Sequence, residues 1–174
     1  MAKKTTVAAR RRRRNPAATP GPKPDALEIL VREHRRFKAL LAQGEATTER
    51  AGKGRRRLLD SLVSELAAHE VMEEQVLYPA LLSYAHTRET LSEGLDEHDG
   101  TDAIVNELRA VSPHDPEWSV RFRVLKEYLE NHMDHEEKHL FPVARGVFPR
   151  QELRDLADQM LALKPPPPRR RGRG

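Results

Sequence analysis

The chain of 174 residues contains no cysteine. Disulfides, thiolate metal sites and iron–sulfur clusters are therefore excluded, and the composition suits a reducing, cytoplasmic setting. Aromatic residues make up only 5 %, too few for the β-branched and aromatic diet of a sheet protein. No window approaches the roughly eighteen apolar residues of a membrane span, so no membrane partner is expected. The arginine run at 10–14 has no apolar segment behind it and does not read as a secretory signal. Acid is missing from both ends. Residues 1–24 carry eight Lys/Arg and no Asp/Glu, and residues 164–174 carry five and none. The middle keeps 18 basic and all 27 acidic residues, so a net charge of +4 conceals an acidic body of −9 between basic flanks.

The flanks are also poor in large apolar residues and rich in proline. Neither buries enough apolar surface to offset the entropy of ordering, so 1–24 and 164–174 are expected to be disordered tails. Their charge suits non-specific binding to nucleic acid or another polyanion by counterion release. No aromatic residue interleaves the arginines, which argues against base stacking.

Between the tails, residues 25–163 read as one all-α domain. Asp25 with Glu28 predicts a capping box. The first helix then presents Leu27, Leu30, Val31, His34 and Leu41 on one face, and a loop with Gly44, Gly52 and Gly54 follows. A second helix carries Leu59, Leu62, Leu66, His69, Glu73 and Leu77, and a third, with Thr87 as its expected cap, carries Leu91, Leu95, His98, Asp102, Val105 and Leu108. Asp115 and Pro116 predict the start of a fourth helix, which carries Phe122, Leu125, Leu129, His132, Glu136 and Leu140. Short connections between long helices imply an up-down-up-down four-helix bundle, with a short fifth helix over about 149–163.

The text repeats. HEVMEEQVLYP at 69–79 returns 63 residues later as HMDHEEKHLFP at 132–142, and Glu33-His34 returns after 64 residues as Glu97-His98. Two copies of a helix pair, related by a pseudo-two-fold axis, bring two His/Glu sets face to face. These polar residues stand in register with leucines, hence toward the core, where an ionised carboxylate is costly unless it is paired or binds a metal. His and Glu at i and i+4 share a helical face, about 5–6 Å apart. A nitrogen and oxygen donor set without sulfur suits iron, manganese or zinc. His135 and His139 also stand four apart, but their counterparts in the repeat are Met72 and Val76, so they read as a solvated pair. Glu70, Glu74 and Glu137 read by default as exposed helix surface, with orientation of the imidazoles as the alternative, and the run Arg55–Arg57 reads as solvated. Tyr78 and Phe141 read as core packing, or as residues that restrict access to a metal.

The pattern His34, His69-x-x-x-Glu73, His98, His132-x-x-x-Glu136, with an aromatic-Pro closing the second and fourth helices, resembles the hemerythrin-like HHE cation-binding domains over residues 25–163. The resemblance implies a non-haem centre of two iron ions, oxo- or hydroxo-bridged, with manganese or zinc as alternatives. It implies Glu73 and Glu136 as bridging carboxylates and His34, His69, His98 and His132 as terminal ligands. Asp102 stands where oxygen-carrying members place a further histidine. Its register predicts a core position, as ligand or as hydrogen-bond partner of one. A carboxylate in place of an imidazole favours the ferric state, so a dedicated oxygen carrier is not the expectation. The resemblance implies instead a protein that binds or senses oxygen, nitric oxide, peroxide or iron. The alternatives are a di-iron oxidase or peroxide-decomposing enzyme, and a zinc or metal-free bundle whose tails bind nucleic acid.

Overall fold

The computed structural model describes residues 23–84 and 87–163. Helix α1 spans Ala26–Glu45. A 3₁₀ turn leads into α2 (Gly52–Met72), which passes through a π turn (Glu73–Leu77) into α3 (Tyr78–Leu81). Helix α4 spans Arg88–Ala110, and α5 spans Pro116–His135. A second π turn (Glu136–Leu140) continues α5 into α6 (Phe141–Val147), and α7 closes the order at Arg150–Leu163. Among the described residues there is no strand, and no helix is long and apolar enough to cross a membrane. The expected all-α bundle with a fifth helix is observed; residues 1–22 and 164–174 of the two expected tails fall outside the described residues.

The predicted caps form where short acidic side chains precede a helix. Asp25 accepts from the Glu28 backbone N–H at 2.9 Å, and Glu28 returns the bond to Asp25 N at 3.0 Å. Asp115 accepts from Glu117 N at 2.8 Å, with Pro116 opening α5. Thr87 behaves differently from expectation. Its hydroxyl donates to the Leu81 and Tyr84 carbonyls, both at 2.7 Å, and so closes the turn before α4 rather than capping it.

Gly44 also departs from its expected loop. It lies buried inside α1 because the Phe122 ring occupies the space a Cβ would need. Arg55 is not solvated. It is 1 % exposed, stacks 4.4 Å over Trp118, and donates to the carbonyls of Thr47 and Pro113 and to the hydroxyls of Thr47 and Ser119. One guanidinium thereby ties together the two turns at this end of the bundle.

The aromatic-Pro pairs do not end their helices. Pro79 and Pro142 have no N–H to donate, and a proline ring clashes with the carbonyl four residues back. The chain accommodates this by widening one turn. Tyr78 N–H donates to Glu73 O, and Phe141 N–H to Glu136 O, five residues back. Each widened turn begins on one of the repeated glutamates.

Two apolar clusters fill the bundle. One gathers Leu41, Leu62, Leu66, Phe122, Leu125 and Leu129. The other gathers Leu30, Met72, Leu77, Leu81, Phe141 and Met160, with α7 packed on α1, α2 and the first π turn. Burying each leucine contributes about 1.5–3 kcal/mol. That dense packing holds the polar layer between the clusters in place.

Candidate metal centre

The layer between the clusters contains His34, His69, Glu73, His98, His132 and Glu136, each buried. The four imidazoles come from α1, α2, α4 and α5, and the two carboxylates from the first residues of the two π turns. Their atoms converge in two groups: His34, His69, Glu73 and Glu136 in one, and Glu73, His98 and His132 in the other. Glu73 belongs to both. Its Oε1 lies 3.4 Å from His69 Nε2 and its Oε2 lies 3.5 Å from His98 Nε2. Glu136 uses a single oxygen inward: Oε2 lies 3.2 Å from His34 Nε2 and 3.6 Å from His132 Nε2. Donors bound at about 2.0–2.2 Å to one cation stand roughly 2.8–3.6 Å apart, the range these pairs occupy.

A carboxylate behind each imidazole sets its orientation. His34 Nδ1 donates to Glu137 at 2.9 Å and His69 Nδ1 to Glu33 at 3.0 Å. His98 Nδ1 donates to Glu74 at 2.8 Å and His132 Nδ1 to Glu97 at 2.7 Å. With Nδ1 engaged, every Nε2 is left facing the interior, as metal-binding imidazoles require. The repeat is complete at this level: Glu33 and Glu97 are counterparts, and so are Glu74 and Glu137. Glu74 and Glu137 thus take the orienting role that stood as the alternative to plain surface, and Glu74 is exposed as well. Glu33 and Glu97 were not singled out from the sequence at all. The signal was present in the repeated pairs Glu33-His34/Glu97-His98 and Glu73-Glu74/Glu136-Glu137.

Two aromatic rings flank the layer, also in register. Tyr78 stacks on His98 with centroids 6.0 Å apart, and Phe141 stacks on His34 at 5.6 Å. Only tyrosine carries a hydroxyl, which donates to Glu136 Oε1 at 3.3 Å. Gly94 makes room for it, since a Cβ there would lie 2.6 Å from the phenolic oxygen. Burial, reinforced by the charges of Glu73 and Glu136, raises the Tyr78 pKa, so the phenol keeps its proton and remains a donor.

Asp102 is not in this layer. It is exposed on α4 and contributes to neither group. The buried seam of α4 runs Leu91, Gly94, His98, Thr101, Val105, Leu108. Its steps alternate three and four residues, which places Thr101 inward and turns Asp102 and Leu95 to the outside.

The donor set has a strong electrostatic reason to bind cations. Glu73 Oε1 and Oε2, Glu136 Oε2 and His98 Nε2 are buried without a hydrogen-bond partner. Such orphaned polar atoms are costly in an apolar interior. Burial alone would lower the histidine pKa values, but Glu73 and Glu33 raise His69 to about 10, and Glu73 with Glu74 raises His98 to about 9. Burial would likewise raise Glu73, but the His69 and His98 imidazoles outweigh it and hold Glu73 well below the ordinary carboxylate range. The layer is thus negative enough to favour protonated imidazoles at His69, His98 and His132. A bound metal cation would take the same lone pairs and satisfy orphaned oxygens at once.

Comparison with known proteins agrees with this geometry. The family model described as "Hemerythrin HHE cation binding domain" matches residues 25–144. A crystal structure of a hemerythrin HHE cation binding domain-containing protein from Mycobacterium kansasii is similar, with a TM-score of 0.72 and 26 % identity over 80 % of this chain and 85 % of that one. A protein of Nostoc sp. (strain PCC 7120 / SAG 25.82 / UTEX 2576) named "DNA nickase" is 30 % identical over 103 residues, which are 59 % of this chain. The match spans only 29 % of that relative's length. With four imidazoles and two carboxylates converging inside a helical bundle, and a family model over most of the described body, the chain belongs to the hemerythrin HHE cation-binding domain family.

Proposed function

We propose that this chain holds a non-haem pair of iron ions and uses it to bind or sense a small ligand (oxygen, nitric oxide or peroxide) or to report iron itself. The observation that carries the reading is that Glu73 faces both ligand groups, one oxygen to each. A carboxylate so placed suits two cations held side by side. Iron is favoured over zinc because the six donors exceed what one tetrahedral site uses. Iron would supply the redox chemistry and open coordination positions. The chain's own residues orient the imidazoles through Glu33, Glu74, Glu97 and Glu137, hold Glu136 through Tyr78, and exclude bulk water with the two apolar clusters. The absence of cysteine suits a cytoplasmic site of action.

Metal analysis and an absorption spectrum of aerobically purified protein test the reading. Two equivalents of iron with near-ultraviolet charge-transfer bands are expected. One tetrahedral zinc, or no metal, would sink it. Saturation by one equivalent of nitric oxide or peroxide distinguishes a binding protein from an oxidase or peroxide-decomposing enzyme, which would turn over.

The basic flanks are proposed to contact a polyanion, nucleic acid in particular. Their composition supports this, and the relative from Nostoc bears a name that concerns DNA; no nicking activity is carried over. Binding to a short DNA duplex should weaken steeply between about 50 and 200 mM salt and should vanish when 1–24 and 164–174 are deleted. Salt-insensitive binding would contradict it.

A further inference from the structure

The second π turn holds two histidines that the buried layer does not use. His135 ends α5 and His139 lies in the turn after it. Their rings are 5.0 Å apart and tilted by 52°. Two imidazoles on one tetrahedral cation, with metal–nitrogen distances of about 2.0–2.1 Å, have centroids roughly 5 Å apart. A carboxylate faces His135 from α4: Glu93 Oε2 lies 3.9 Å from His135 Nε2. Donors on such a cation stand roughly 3.3 Å apart, so the exposed Glu93 side chain has to turn inward, toward His139 as well, to complete a three-ligand set. The ammonium of Lys138, between the two histidines in sequence, is turned to Asp134 at 2.9 Å and leaves the pair clear.

The repeat supplies an independent argument. The counterparts of His135 and His139 in the first half are Met72 and Val76, both buried. There α7 packs over the π turn, so the position needs hydrocarbon. Helix α7 does not pack on the second π turn in the same way, and its face opens to solvent: His139 is exposed and the His135 side chain is 29 % exposed. Apolar packing therefore does not explain these two imidazoles.

We infer that His135, His139 and Glu93 form a surface site for one divalent cation of the imidazole-binding class, such as zinc, nickel or copper. The site is separate from the buried layer, since neither histidine belongs to its two groups. It is nevertheless connected to that layer. Glu97 presents Oε1 to His135 Nδ1 at 3.9 Å and Oε2 to His132 Nδ1 at 2.7 Å. A cation held at His135 thus stands one carboxylate away from a buried ligand.

The test uses full-length protein whose buried centre is already filled with metal. Zinc is added in competition with a chromophoric chelator, and zinc bound beyond the resident metal is counted. One further equivalent is expected. It should be lost in H135A/H139A and weakened on the order of tenfold or more in H139Q, where one of three ligands is removed. Glu93→Gln should weaken it less. Resident metal content, measured on the same samples, reports the buried centre separately. Because His135 adjoins Glu136, the exposed single variant H139Q decides the matter if the double variant fails to fold. No further zinc on the wild-type protein, or the same zinc affinity in H139Q, would overturn the inference.

Discussion

Helices α1 to α3 and α4 to α6 each contribute two imidazoles and a glutamate at the start of a π turn, yet their glutamates are held differently. Glu73 presents one oxygen to each ligand group and has no hydrogen bond on either. Glu136 directs one oxygen inward while the other accepts from the Tyr78 hydroxyl. The cause is a single atom in the repeat: Tyr78 carries a hydroxyl and its counterpart Phe141 does not. A second difference lies outside, where α7 packs more extensively on the first π turn than on the second. The comparison teaches that duplicated side chains need not make equivalent half-sites, because equivalence also depends on what stands behind each one.

The largest expected effect comes from removing the shared glutamate. Glu73→Ala should lose both metal equivalents and lower the melting temperature sharply. Glu136→Ala should leave the Glu73/His98/His132 group able to hold one. Metal counts by mass spectrometry on the two variants check the contrast, and equal losses would mean that both glutamates are shared alike. Next come the carboxylates behind the imidazoles. Glu74→Gln or Glu97→Gln should weaken metal affinity by about 10–100-fold, read from chelator competition; unchanged affinity would remove them from the centre.

The pH dependence follows in size. His69 and His98 are raised to about 10 and about 9 from an ordinary 6.5. A group whose folded pKa is raised contributes stability in full below its unfolded value and loses it as pH rises through the folded one. Chelator-treated protein should therefore lose stability steadily from about pH 6.5 to pH 10. Metal-filled protein should hold its stability over that window, since cations occupy the same nitrogens. Denaturant melts across pH on both forms check this, and a flat profile for the chelated form would contradict the electrostatic account.

Smaller still is Tyr78→Phe, which makes the halves alike. It removes one hydrogen bond and should cost about 0.5–1.5 kcal/mol, with a shift in the metal absorption spectrum but unchanged metal content. The smallest is Asp102→Asn. An exposed residue outside both groups should change stability by less than about 0.5 kcal/mol and leave metal content intact.

Much of this is legible in the sequence. The repeat at a 63-residue spacing, the caps at Asp25 and Asp115, and the placing of His34, His69, Glu73, His98, His132 and Glu136 on apolar stripes all follow from local rules. Asp102 shows where those rules stop. Positions i+3 and i+4 lie on either side of a helical seam, and periodicity alone did not choose between Thr101 and Asp102. Arg55 shows the same limit: a charge run reads as solvated until a tryptophan and four acceptors are brought to it from distant segments. The aromatic-Pro pairs misled in the other direction, since a proline that ends an isolated helix is tolerated once packing favours a widened turn.

From the residues alone came the five helical rods, counting each helix continued through a π turn as one, the polar layer within an apolar bundle and the chemistry of its donors, because periodicity and residue type are local properties. Only the packed structure decided that Glu73 is shared, that Glu33, Glu74, Glu97 and Glu137 aim the imidazoles, and that Tyr78 separates one half from the other. Those are distances between side chains on different helices. They depend on how ridges seat in grooves across the bundle, which no single stretch of chain specifies.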